Sequence, residues 1–276
     1  MEIRKVSSAL GAEILGIDLA RALSASAIDA IRRTLAECGV VFFRDQQLTP
    51  DQHLMFARHF GDINVNRFFK AVDDYPAIAE VRKEPDQRQN IGGNWHTDHS
   101  YDLAPAMGSM LYAREVPDVG GDTLFASMYA AYDALSDGLK RTLESLQALH
   151  SSRHVFGTAT YGSRGDLRAR VLNPELATQD AVHPVVICHP GSGRRALYVN
   201  PAFTVCFNGW TEDESRPLLH YLYQHAARPE FSCRFQWHPG SIAFWDNRCT
   251  WHYALNDYAG HRRLMHRITI EGTPLN

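Results

Sequence analysis

A series of short, β-rich runs closed off by turn residues does most to limit what this chain can fold into. Residues 40–43, 108–113, 185–188, 196–199, 231–237, 242–245 and 264–270 have this character. Branched and aromatic side chains suit a pleated, half-buried surface, and the Gly, Pro and Asn around them turn the chain. Pro239-Gly240 marks one tight turn between two such runs. Helix signals are fewer. Residues 26–37 place Ile28, Ile31 and Leu35 on one face, with Gly39 where a closing glycine belongs. Thr49-Pro50-Asp51-Gln52 combines a cap, an N1 proline and a Gln at N3, and predicts a helix running to near Gly61. Leu139, Leu143, Leu146 and Leu149 predict a helix over 136–150. Thr211 with Glu214 opens another, to about Ala227, with Pro217 in its first turns. The expectation is a mainly β fold: a jelly-roll core with flanking helices. No repeat, low-complexity tract or linker divides the chain, so residues 1–276 read as a single domain.

A formal charge of −3 gives no reason to expect nucleic acid or an anionic membrane as partner. No apolar run approaches the roughly 20 residues a bilayer span needs. Met1-Glu2-Ile3-Arg4-Lys5 leads into alternating sequence without the apolar core of a signal peptide, and a cytoplasmic location is expected. The five cysteines, Cys38, Cys188, Cys206, Cys233 and Cys249, show neither zinc-knuckle nor redox spacing. Cys38 and Cys249 sit among apolar residues and read as small core hydrophobes. Helices outside a barrel offer a self-complementary face, so a homo-oligomer is expected.

The fourteen histidines are more than a chain of this kind ordinarily carries, and one lies in Asn94-Trp95-His96-Thr97-Asp98. On an extended segment His96 and Asp98 point to one face. Two imidazoles and a carboxylate on one triangular face leave open positions on a metal, the arrangement of non-haem Fe(II) oxygenases. Alone, a His-x-Asp triplet is weak, and the plainer reading is a surface His beside a turn Asp. The third ligand is open among His238, His252, His261 and His266. Of these, His252 follows the run Trp245-Asp246-Asn247-Arg248-Cys249-Thr250-Trp251. Arg263 and Arg267 stand four apart, on one face of a strand, and a guanidinium fork there is a natural carboxylate receptor. The plainer reading of these arginines is a solvated basic face.

These segments, taken together, resemble the taurine/chlorophenoxyacetate dioxygenase family. The likeness is carried in order by Trp95-His96-Thr97-Asp98, Gly120-Gly121-Asp122-Thr123-Leu124, Trp245-Asp246-Asn247-Arg248, His252 and Arg262-Arg263-Leu264-Met265-His266-Arg267. Gly11-Ala12-Glu13-Ile14 and Gly39-Val40-Val41-Phe42-Phe43-Arg44 add to it. The resemblance implies a double-stranded β-helix, with Fe(II) on His96, Asp98 and His252. It implies 2-oxoglutarate as cosubstrate, bound by Thr123 and Arg263, and O2 as oxidant. The products are succinate, CO2 and a substrate hydroxylated at C–H. Arg267 matches the position that meets the anionic group of the substrate, and Phe156 and Phe203 match aromatic walls of its pocket. The substrate expected is small and anionic: a sulfonate, sulfate ester or carboxylate. One departure concerns specificity. Asn66 stands where taurine dioxygenases carry a sulfonate-contacting His, which argues against taurine itself. Phe68, Phe69, His99 and Tyr101 suggest a more aromatic pocket. The competing readings are a zinc hydrolase and a non-catalytic sensor of metal and 2-oxoglutarate. The first lacks H-E-x-x-H, and a serine hydrolase lacks G-x-S-x-G.

Overall fold

A computed structural model of the chain describes residues 1–161 and 165–275. Its main sheet runs in the order Glu2–Lys5, Ala12–Leu15, Val40–Phe43, Ile242–Asp246, Gly108–Glu115, Arg263–Ile270, Tyr75–Lys83 and Ala71–Val72. Ile63–Asn64 pairs with the far end of Arg263–Ile270. Opposite it lies a small sheet of Ser232–Phe235, Thr123–Ser127 and Thr250–Ala254. A reciprocal bridge between His96 and His252 adds one more residue to its edge.

The pattern of the central strands follows from this layering. Val40 and Phe42 face inward, where Phe42 stacks on Phe235 of the small sheet at 4.1 Å. Val41 and Phe43 face outward and pack with Ile31 and Leu35 of the Ala25–Cys38 helix and Phe56 of the Pro50–Arg58 helix. A strand covered on both faces reads as a continuous apolar run rather than an alternation. The helix ends match their signals. Thr49 and Gln52 form a reciprocal capping box, as do Thr211 and Glu214 on the Glu212–Ala226 helix. Gly39 closes the first helix at φ 74°, and a Cβ there would stand 2.6 Å from Thr250 Oγ1. Cys249 is buried, whereas Cys38 at the end of that helix is half-buried.

One expected helix is shortened. The 136–150 pattern gives a helix only over Asp137–Glu144, and Gln147–Ser151 is a strand. The leucine spacing continues past the break, but Asp180–Pro184 and Thr204–Phe207 pair with Gln147–Ser151 on both sides. Those backbone hydrogen bonds and the burial that accompanies them override a helical period.

His53, on the Pro50–Arg58 helix, is 1% exposed against the Tyr112 ring. Neither of its ring nitrogens has a partner among the described residues. Burial first, then the nearby His266 and Arg114, lower its pKa to about 3. The unfolded chain therefore takes up this proton below about pH 6.5 while the folded chain refuses it until about pH 3. Stability should fall as pH drops through that window, by at most about 1.4 kcal/mol per unit from this residue. Urea unfolding of His53→Met from pH 7 to 4.5 should give a flatter pH dependence than wild type; parallel curves would exclude the assignment.

Candidate active site

The site forms where the small sheet meets one end of the main sheet. His252 lies on Thr250–Ala254, Thr123 on the adjoining Thr123–Ser127, and Arg263 and Arg267 on Arg263–Ile270. His96 is fixed to His252 by two backbone hydrogen bonds, His96 N to His252 O at 3.1 Å and the reverse at 2.8 Å. The extended segment ends there, and the chain turns at Asp98. That turn places Asp98 Oδ1 3.8 Å from His96 Nε2 and Oδ2 3.6 Å from His252 Nε2. One ligand atom from each of the three residues lies within 4.8 Å of the others. This spacing and donor set fit one divalent ion.

Protonation suits the same role. Asn94 O stands 2.8 Å from His96 Nδ1, and a carbonyl can only accept, so Nδ1 carries the proton and Nε2 keeps its lone pair. Burial pushes both imidazoles below their ordinary pKa and favours their neutral form. Burial alone would raise the Asp98 carboxyl, but Arg267, His252 and His96 hold it far below the ordinary carboxylate range. Arg267 reaches Asp98 Oδ2 at 2.6 Å, and Ser109 donates to the same oxygen at 3.1 Å. Gly92, at φ 73°, packs against His96, where a Cβ would stand 3.2 Å from Cε1.

Two spaces open on these ligands. An inner cleft of ≈ 50 Å³ is bordered by His96, His252, Thr123, Arg263 and Arg267. Arg263 is 4% exposed, and its Nε and Nη2 have no partner among the described residues. A buried, unpaired guanidinium is costly, and an anion in the cleft would relieve it. An outer cavity of ≈ 380 Å³ is bordered by His96, Asp98 and Arg267. Phe68, Tyr101, Phe156 and Phe203 wall it: Phe68 and Phe156 stack at 4.3 Å, and Tyr101 meets Phe203 edge-on at 4.9 Å.

The structure thus brings together every site residue expected from the sequence, with different surroundings for two. Asn66 borders the outer cavity, but its Oδ1 accepts from the backbone N–H of Phe68 and Phe69 and so shapes the wall. Arg267 is bound to Asp98 rather than free. His99 faces inward. Its Nδ1 donates to Asp102 Oδ2 at 2.9 Å, and Arg67 grips Asp102 through both oxygens. Sequence reasoning missed Ser109, for which no local pattern exists, and Trp237, whose Nε1 lies 3.0 Å from Thr123 Oγ1. A second close set, His189, Asp246 and Cys249, is already satisfied. His189 Nε2 bonds Asp246 Oδ2 at 2.9 Å, its Nδ1 accepts from Gly191 and Ser192, and Arg248 holds Asp246. It braces the turn that leads to His252.

A His-Asp-His face on a jelly roll, with a buried and partly unpaired guanidinium beside it, is the arrangement of a non-haem iron oxygenase dependent on 2-oxoglutarate. The chain belongs to the family described as Taurine catabolism dioxygenase TauD, TfdA family, which matches residues 2–269. It is 34% identical over 274 residues to an alkylsulfatase of Acinetobacter baylyi, covering 99% of this chain and 85% of that one. It is 32% identical over 276 residues to an alpha-ketoglutarate-dependent sulfate ester dioxygenase of Pseudomonas putida, covering 99% and 90%. A crystal structure of a taurine dioxygenase from Burkholderia xenovorans superposes with a TM-score of 0.82 at 34% identity, covering 98% and 89%. The chain is an Fe(II)- and 2-oxoglutarate-dependent dioxygenase acting on a small molecule.

Proposed function

We propose that His96, Asp98 and His252 hold the iron, that Thr123 and Arg263 hold the distal carboxylate of 2-oxoglutarate, and that the outer cavity takes an organic sulfate ester, sulfonate or carboxylate with an apolar body. The observation that carries this reading is the meeting of three metal-competent donors with an unpaired buried Arg263 in one cleft. Iron, with the cosubstrate and O2, supplies the oxidising power for hydroxylation, with release of succinate and CO2. The chain's own residues bind and orient. Arg263 neutralises the cosubstrate. Arg267, which borders the outer cavity and holds Asp98 through Nη2, would offer its Nε–H, unpartnered among the described residues, to the substrate's anionic head. Phe68, Tyr101, Phe156 and Phe203 hold the apolar body, exclude water and point one C–H toward the ligands. Hydroxylation beside an ester oxygen yields a hemiacetal-type product that collapses with cleavage. Asn66, where taurine dioxygenases carry a sulfonate-contacting His, supports a substrate other than taurine. The proposal includes one domain over residues 1–276 and a cytoplasmic homo-oligomer with no nucleic-acid partner; the net charge of −3 supports the last point, and exposed Trp210 and Tyr221 suit a contact between copies.

The test is an anaerobic titration of the Fe(II) protein with 2-oxoglutarate, followed by visible absorbance. A weak charge-transfer band is expected, absent from His96→Ala, and a panel of alkyl sulfates, sulfonates and aryl carboxylates should contain compounds that shift it. Iron-loaded wild type without a band would sink this assignment of the cleft.

A further inference from the structure

Trp237 stands behind both groups that face the inner cleft. We propose that its indole N–H orients the Thr123 hydroxyl, and that Trp237 is thereby the positioning residue for the distal carboxylate of 2-oxoglutarate. The inference rests on the reading above that this cleft takes 2-oxoglutarate.

One hydrogen bond behind the cleft has a fixed direction. Trp237 Nε1 lies 3.0 Å from Thr123 Oγ1, and both residues are buried. An indole nitrogen can only donate, so the Thr123 oxygen accepts and its own proton must go elsewhere. No acceptor for that proton is present among the described residues, and Thr123 borders the cleft. The hydroxyl therefore keeps its proton free to donate to a ligand in the cleft. The same indole lies 5.7 Å from Arg263 Cζ, whose Nε and Nη2 also lack partners. One ring therefore sets both arms of the receptor: a hydroxyl donor through its N–H and a guanidinium against its face.

The ring is itself fixed. It meets Phe235 edge-on at 4.7 Å and is 3% exposed. The chain beyond it is pinned by the bond from His238 N to Ser241 Oγ at the Pro239-Gly240 turn. A receptor oriented in advance loses no rotamer freedom on binding, and that raises affinity without a new contact to the ligand. A free threonine hydroxyl could equally turn a lone pair to the cleft and repel a carboxylate. Trp237 occupies one lone pair and narrows the positions left to the proton, which finds its acceptor in a carboxylate in the cleft.

The experiment is calorimetric titration of the Mn(II)-loaded protein with 2-oxoglutarate and with 2-oxovalerate, which has the same chain length but no distal carboxylate. Trp237→Phe keeps a ring and loses the N–H. It should bind 2-oxoglutarate about 10-fold more weakly and 2-oxovalerate as wild type does, with Mn(II) affinity unchanged. In a Thr123→Val background, where there is no hydroxyl to orient, the same substitution should add less than about 2-fold. Unchanged 2-oxoglutarate affinity, equal weakening of both acids, or multiplicative effects in the double variant would overturn the proposal. If the Phe variant does not fold, Trp237→Tyr poses the same question, because its hydroxyl sits at the ring tip. A wild type that does not prefer 2-oxoglutarate to 2-oxovalerate would instead show that the reading of the cleft has failed.

Discussion

Arg263→Gln is expected to bind 2-oxoglutarate at least about 100-fold more weakly than wild type while still loading metal. Arg263 is buried on the Arg263–Ile270 strand, and two of its three nitrogens meet no partner. Burial pushes its pKa below the ordinary value, with Tyr258 and Asp122 opposing that only in part. The folded chain thus buries a guanidinium with two unpaired nitrogens, which an anionic ligand would satisfy. Two effects of opposite sign follow. Without cosubstrate, the Gln variant should be as thermally stable as wild type or more so, because a neutral amide is cheaper to bury. With saturating 2-oxoglutarate and Mn(II), wild type should gain melting temperature and the variant should not. A variant that loses stability without ligand would mean that Arg263 is a structural residue of the core.

Asp98→Ala should do the reverse. Asp98 Oδ2 takes Arg267 at 2.6 Å and Ser109 at 3.1 Å and faces both imidazoles. Its removal leaves the Arg267 guanidinium buried without an anion, at a cost of roughly 3–5 kcal/mol to the metal-free protein. It also removes the one charged ligand, so Mn(II) affinity should fall more than the about 10–100-fold typical of losing an outer hydrogen-bond partner. Denaturant unfolding with and without Mn(II) measures both. The variant should unfold earlier and show no metal-dependent shift. A metal-dependent shift equal to that of wild type would remove Asp98 from the ligand set.

Much of this was legible in the sequence where chemistry is local. The capping boxes at Thr49 and Thr211 worked because a helix end is decided by residues three apart. The Val40–Phe43 run could be read as a covered strand because two buried faces leave no polar alternation. The triplet His96-Thr97-Asp98 and the Arg263/Arg267 pair became a site through their order along the chain and the family resemblance, since spacing alone left the third histidine open. What stayed hidden depends on partners far away in sequence. The strand Gln147–Ser151 is claimed by segments 30 to 60 residues on, which no helical period of leucines could reveal. Ser109 and Trp237 reach the site across the fold, and nothing beside them in the chain marks them. Arg267 could be placed near the metal, but only geometry shows it already paired with Asp98.

The reciprocal bridge between His96 and His252 has a consequence for how fast the enzyme can be charged. Two backbone hydrogen bonds, at 3.1 and 2.8 Å, set the distance between the imidazoles before any ion arrives. Asp98 meets them without rearrangement, because Arg267 holds Oδ2 while Oδ1 faces His96. The three donors are thus set before an ion arrives, and metal uptake should be indifferent to the viscosity that slows loop closure. Because the Arg267–Asp98 pair is buried, the rate should also respond little to salt.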